Sequence, residues 1–161
     1  MLLSLLLPSA LAAPEMIPVE AMEEVGHTAS EIDVPLRDGG RFKLSEQKGK
    51  LVVLSFWASW CTPCRKELPA LSKLAEERKD IVFIAVNVDR ERSAAEGFLD
   101  KVDVSIPVAF DSEATALGSY GVTSMPTMFL IDKKGGVAFK KVGYGEEKGF
   151  TEILDAVEKI K

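Results

Sequence analysis

The chain is short of cysteine, histidine and positive charge, and each shortage closes off a class of protein. Two cysteines stand in 161 residues, too few to build a secreted scaffold on disulfides, so the core has to hold the fold by itself. Histidine occurs once, as His27 in a polar stretch far upstream of both cysteines. Two cysteines and one distant histidine do not supply the four N/S ligands of a structural zinc site. Lys and Arg number 20 against 25 Asp and Glu, a formal charge of −5, and no nucleic-acid partner is expected of that balance. The apolar run Met1 to Leu7 falls far short of the roughly 20 residues that a membrane-spanning helix needs. No internal repeat or low-complexity tract is visible.

That N-terminal run is nonetheless informative. It leads into Pro8-Ser9-Ala10-Leu11-Ala12-Ala13, which has the small-x-small pattern of a signal-peptidase site, with cleavage before Ala13. Residues 1–12 are expected to be a signal peptide. No Lys or Arg precedes the apolar run, so a basic segment either lies upstream of Met1 or is missing. No cysteine follows the cleavage site, and nothing there suggests a lipid anchor. The implied location is the periplasm, with tethering to the membrane if the signal stays uncleaved. Residues 13–30, polar and without sustained periodicity, read as a leader; residues 31–161 read as one domain, long enough to bury a sizeable core.

Both cysteines fall in Trp60-Cys61-Thr62-Pro63-Cys64, between a buried-type strand and an amphipathic helix. The strand is Leu51 to Ala58, short, apolar and rich in β-branched and aromatic residues. The helix starts near Pro63, which suits a first turn because an N–H there would lack a partner anyway, and it puts Leu68, Leu71, Leu74 and Ala75 on one face. At a helix N-terminus the free backbone N–H groups and the positive end of the dipole favour a thiolate over a thiol. Cys61, at the mouth, is expected to be the solvent-accessible nucleophile, and Cys64, one turn further in, the shielded resolving thiol. As a structural staple the pair would close too small a loop to remove much unfolded-state entropy. Soft sulfur ligands also select copper(I), and transfer of that ion by the same pair is the alternative reading.

The remaining pattern is α/β. Ile32–Leu36 and Arg41–Leu44 flank a Gly-rich turn and predict an antiparallel hairpin, with one helical turn at Ser45-Glu46-Gln47. Pro69 should bend the first helix, which resumes to about Lys79. Ile81–Val88 is a second buried-type strand, and strand-helix-strand order implies a right-handed parallel crossover. Ser93 is the expected cap of a helix carrying Ala94, Ala95, Phe98, Leu99 and Val102, followed by a strand at Ile106–Phe110. Asp111 is the expected cap of the next helix, about Ala114 to Tyr120. Thr127–Ile131 and Val137–Val142 predict a second hairpin, and a final helix puts Phe150, Ile153, Leu154, Val157 and Ile160 on one face.

The segment Phe56-Trp57-Ala58-Ser59-Trp60-Cys61-Thr62-Pro63-Cys64 resembles the active-site segment of thioredoxin-fold proteins. Pro69 falls where that family kinks its first helix, Met125-Pro126-Thr127 resembles its cis-proline loop, and Gly143 resembles the glycine that ends its last strand. The extra helix and strand between Val88 and Asp111, with the runs Tyr120-Gly121-Val122 and Pro126 to Asp132, look like the exported TlpA/ResA type. The resemblance covers roughly Ile32 to Lys161. It implies a thioredoxin-like α/β fold: a mixed central sheet flanked by helices, with an N-terminal hairpin and a central helix-strand insertion. It also implies that Trp60, Met125, Pro126 and Thr127 face substrate, with the backbone of Met125 taking an extended segment by strand addition. Ser55 and Ala85 stand where thioredoxin carries a buried Asp and its partner Lys, so that proton relay is absent. Glu67, one turn after Cys64, matches a Glu of ResA-type proteins. A carboxyl in an apolar pocket has a raised pKa and is suited to take the proton of the resolving thiol.

The function implied is exported thiol-disulfide exchange, reducing protein disulfides through Cys61 and Cys64 with no metal or organic cofactor. By resemblance a membrane-embedded thiol reductant supplies electrons, and cytochrome c maturation, with apocytochrome c as substrate, is the subfamily's commonest role. A monomer is expected. An oxidising exchanger would use the same motif, and Thr62-Pro63 resembles the reducing side. A peroxidase would need a peroxidatic cysteine with Thr three residues before it, and Cys61 occupies that position relative to Cys64; negligible peroxide turnover is expected.

Overall fold

Strand β3 (Leu51–Trp57) is buried along its whole length, and the computed structural model, which describes residues 26–161, puts it in the middle of the sheet. The expected signal peptide, 1–12, lies outside the described residues, as does most of the expected leader. On one edge β3 pairs in parallel with β4 (Ile81–Asn87), and β4 in parallel with β5 (Val108–Phe110). On the other it pairs antiparallel with β6 (Thr127–Ile131), and β6 with β7 (Val137–Val142). The strand order is β5-β4-β3-β6-β7. A separate hairpin of β1 (Asp33–Pro35) and β2 (Arg41–Lys43) precedes it, followed by a short 3₁₀ turn at Leu44–Gln47. This is the mixed sheet, N-terminal hairpin and helix-strand insertion that the sequence predicts.

The two faces follow from period-2 alternation along β3. Leu51, Val53 and Trp57 point to the side covered by helices α1 (Cys64–Glu77), α2 (Arg92–Leu99) and α4 (Thr151–Ile160), where Leu68, Leu71, Phe98, Ile153 and Val157 join the same buried cluster. Val52, Leu54 and Phe56 point to the other side, under the hairpin residues Val34 and Phe42 and helix α3 (Thr115–Ser119). Both cysteines belong to the first cluster. The hairpin also closes an edge: Leu36 bridges Ala109, and the Arg37 N–H donates to the carbonyl of Val108.

Local differences from the expected elements have local causes. Helix α2 begins at Arg92, with Ser93 inside its first turn and no side-chain cap at Glu91. Arg92 is fixed by tertiary contacts, donating to the carbonyl of Arg37 at 3.0 Å and lying over the Phe110 ring, and these outweigh capping preference. Strand β5 starts only at Val108, since Pro107 before it has no N–H to contribute to a ladder. Helix α1 continues through Pro69 to Glu77. The described end of the leader is tied to the sheet: Gly26 donates to the carbonyl of Val137, Val137 to that of His27, and Ala29 to that of Gly135.

Asp111 does receive N–H groups of α3, from Thr115 to Oδ1 at 3.0 Å and from Leu117 to Oδ2 at 2.9 Å. Asp111→Ala is expected to cost about 1 kcal/mol of stability and Asp111→Asn less, a ranking that urea denaturation midpoints of the three proteins would check.

Candidate active site

The site forms where β3 ends and α1 begins, at the carboxyl ends of the parallel strands. The Cys61 N–H donates back to the carbonyl of Ala58 at 3.1 Å, and Cys64 is the first residue of α1, with Pro63 at its N-cap. The Cys64 N–H points at Cys61 Sγ, 3.3 Å away. A free N–H of the first helical turn is thus spent on the outer sulfur, the group that gains most from it as a thiolate. The two cysteines are joined by a disulfide with their Cα atoms 5.4 Å apart. Cys64 is wholly buried, and Cys61, 3% exposed, is buried too; the solvent-accessible Cys61 expected from its place at the helix mouth is not found in the disulfide form, because the rim of the site covers it. Trp60 beside it is 71% exposed.

One turn beyond Cys64, Glu67 is entirely buried, not on a solvated helix face. Three-residue spacing puts it on the same side of the helix as Cys64. Ser55 of β3 donates its hydroxyl to Glu67 Oε1 at 2.5 Å, and Oε2 has no partner among the described residues. Burial raises the Glu67 pKa to about 7, opposed by the Ser55 hydrogen bond and by the positive charge of Lys141. A carboxyl so placed changes protonation near neutrality.

The loop before β6 closes the other side. The Met125–Pro126 peptide is cis, Thr127 stands opposite Phe56 near the end of β3, and Met125 packs against the cluster that holds the cysteines. Pro126 and Thr127 are buried, and Thr127 donates its hydroxyl to the carbonyl of Ser124. Gly143, whose φ of +80° favours a residue without a side chain, donates its N–H to the carbonyl of Pro126 at 2.7 Å. Among the described residues, neither backbone polar group of Met125 is taken by a backbone partner. The structure therefore brings Trp60, Cys61, Cys64, Glu67, Met125, Pro126 and Thr127 to one end of the sheet.

Sequence reading did not single out Asn87 and Asp89. Asp89 Oδ2 accepts from the Ser59 N–H and from Asn87 Nδ2, each at 2.8 Å, and Oδ1 from the Ser59 hydroxyl at 3.0 Å. These bonds fasten the residue two before Cys61 to the end of β4. The available signal was Asn87 itself, a lone polar residue in the apolar run Ile81 to Val88. Among the described residues no group of three or more His, Cys, Asp or Glu is gathered to hold a metal ion.

A redox cysteine pair at the head of a helix, at the same end of a thioredoxin-like sheet as a cis-proline loop, defines a thiol-disulfide oxidoreductase. The chain belongs to the Redoxin family, whose pattern it matches over residues 24–157. It is 37% identical over 122 residues to the thiol-disulfide oxidoreductase ResA of Bacillus cereus, covering 74% of this chain and 70% of that one. It is also similar to a solved structure described as the thiol:disulfide interchange protein DsbE of Chlorobium tepidum, at 36% identity and a TM-score of 0.77, covering 83% of this chain and 98% of that one. Another similar structure is the exposed lipoprotein thioredoxin Etrx1 of Streptococcus pneumoniae, at 31% identity and a TM-score of 0.69, over 78% and 98% of the two chains.

The raised Glu67 pKa has a consequence for stability. The folded carboxyl binds its proton more tightly than the unfolded one, so its neutral form favours the fold below about pH 4.5, and that advantage is lost as pH rises to about 7. The loss is of the order of 3 kcal/mol. Glu67→Gln should remove that slope, matching wild type at pH 4 and exceeding it above pH 7, as read from denaturation midpoints across the range.

Proposed function

We propose that this oxidoreductase works as an exported reductant of protein disulfides. The Cys61 thiolate attacks a substrate disulfide, forming a mixed disulfide and releasing one substrate thiolate. Cys64 then passes its proton to Glu67 and attacks Cys61 Sγ, which breaks the mixed disulfide, releases the second substrate thiolate and leaves Cys61–Cys64 oxidised. The substrate gains two electrons; one of its thiolates takes up the proton that Glu67 received from Cys64, released through solvent, and the other is protonated by water. A membrane-embedded thiol reductant returns the pair to the dithiol, and apocytochrome c is one candidate substrate.

The observation that supports this reading is the unequal setting of the two sulfurs: Cys61 Sγ receives the Cys64 N–H at the helix mouth, while Cys64 stands one turn before a buried carboxyl on the same side of the helix. A carboxyl titrating near 7 is matched to proton transfer at neutral pH. The exposed Trp60 ring and the unpaired backbone of Met125 beside Pro126 and Thr127 support docking of an extended substrate segment by strand addition. Export draws on the composition of residues 1–13, outside the described residues, and on likeness to an exposed lipoprotein thioredoxin.

Cys61→Ser should abolish exchange, whereas Cys64→Ser should still attack and accumulate the mixed disulfide, visible on non-reducing gels. Rapid alkylation of Cys64 with Cys61 inert would reverse the assignment. Glu67→Gln should slow the resolving step by about 10²-fold and flatten its pH–rate profile; superimposable profiles would remove Glu67 from the mechanism. Equilibration with glutathione and dithiothreitol tests direction. A potential nearer to about −270 mV supports a reductant, and one nearer to about −120 mV an oxidant.

A further inference from the structure

Four residues stand in one row across the sheet. Ala85 of β4 pairs with Ser55 of β3, Ser55 with Met128 of β6, and Met128 with Lys141 of β7. Directly opposed residues share a face of the sheet, and Ser55 identifies it, because its hydroxyl reaches Glu67 on α1. Met128 lies in the cluster that contains both cysteines. Adjacent strands are about 4.8 Å apart, so the Lys141 backbone is two strand spacings from that of Ser55, on the side that faces the helices.

Lys141 does not extend into water. Its side chain is 9% exposed, and its ammonium donates to the carbonyl of Gly149 at 2.8 Å and pairs with Glu152 Oε2 of α4 at 3.0 Å. Held on that face, the charge favours ionisation of Glu67, against the effect of burial. The groups that act on Glu67 are Ser55 from β3, Lys141 from β7 and Tyr144 from the loop after β7, while Cys64 stands one turn before it on the same side of its own helix. Around Lys141 stand Glu152 and, 3.9 Å from Glu152, Lys148.

We propose that Lys141 is the counter-charge of the Glu67 carboxylate, a positioning residue that sets when Glu67 is free to take the proton of Cys64. Its meaning for exchange rests on the proton-transfer role given to Glu67 above; the charge coupling does not. In the resolving step the Cys64 S–H bond breaks, its proton moves to the Glu67 carboxylate, and the sulfur keeps the electron pair for attack on Cys61. That carboxylate must be present beforehand in a fully buried site. Lys141 supplies the opposite charge that allows it, from the edge strand of the sheet.

The test reads Glu67 directly. In the oxidised full-length protein, the carbonyl band of its protonated carboxyl is followed against pH by infrared difference spectroscopy, with Glu67→Gln identifying the band. Lys141→Met should move the midpoint up by about one pH unit, Lys141→Arg should restore it, and Glu152→Gln, which frees Lys141 of its partner, should move it down. Opposite shifts at two residues in contact are not what a general loosening of the fold would produce. An unchanged midpoint in Lys141→Met overturns the proposal. If that variant does not fold, an unchanged midpoint in Glu152→Gln overturns it instead. A shifted midpoint with an unshifted pH–rate profile supports the counter-charge and rejects proton transfer by Glu67, so the two readings fail separately.

Discussion

Strand β3 has no free side. Strands pair along both of its edges, three helices cover one face, a hairpin and a helix cover the other, and each of its seven residues is buried. Close packing on every side means that its end point is set to within the tolerance of a protein interior. The cysteine pair follows four residues after that end, and the intervening turn is held by the Asp89 bonds to Ser59 and by the Cys61 N–H on Ala58. The outer sulfur is thereby delivered to the first N–H groups of α1. Thiolate stabilisation by a helix terminus fades beyond the first turn, so this placement is what gives the motif its chemistry.

The same packing creates the main electrostatic cost of the fold. Among the described residues Glu67 has one hydroxyl partner for two oxygens in a buried setting, an arrangement that an apolar residue of similar size would match or improve for stability alone. Its burial one turn after Cys64 is therefore not explained by stability. Ser55 accommodates it: it is small enough to leave room for the carboxyl and polar enough to give it one hydrogen bond. Burial, the Ser55 hydrogen bond and the positive charge of Lys141 together put the Glu67 pKa at about 7.

Much of this was legible because the relevant signals are local. Apolar runs bounded by turns located β3, β4, β6 and β7, amphipathic spacing located α1 and α4, and the spacing of Cys61 and Cys64 at a helix start implied their redox role. Asp111 signalled its helix although Ala114 is the N-cap residue, because its carboxylate reaches N–H groups only four and six positions on. Ser93 misled, since the start of α2 is decided by Arg92 reaching Arg37 and Phe110 across the fold. Cys61 is buried where the sequence suggested an accessible thiol, because access is set by the whole rim around a site and not by a residue's place in its helix.

By itself, then, the sequence determined the elements, their order, the parallel crossover and the identity of the reactive pair, all of which depend on periodicity and on neighbours close along the chain. Only the tertiary structure decided what surrounds that pair. Ser55 meets Glu67 across 12 positions of sequence, Asp89 holds Ser59 across 30, and Gly143 joins Pro126 through the β6–β7 ladder. Lys141 enters the row of Ala85, Ser55 and Met128 only through the pairing of four strands. Protonation depends on burial and on charges nearby in space, and neither is a property of a residue's neighbours along the chain.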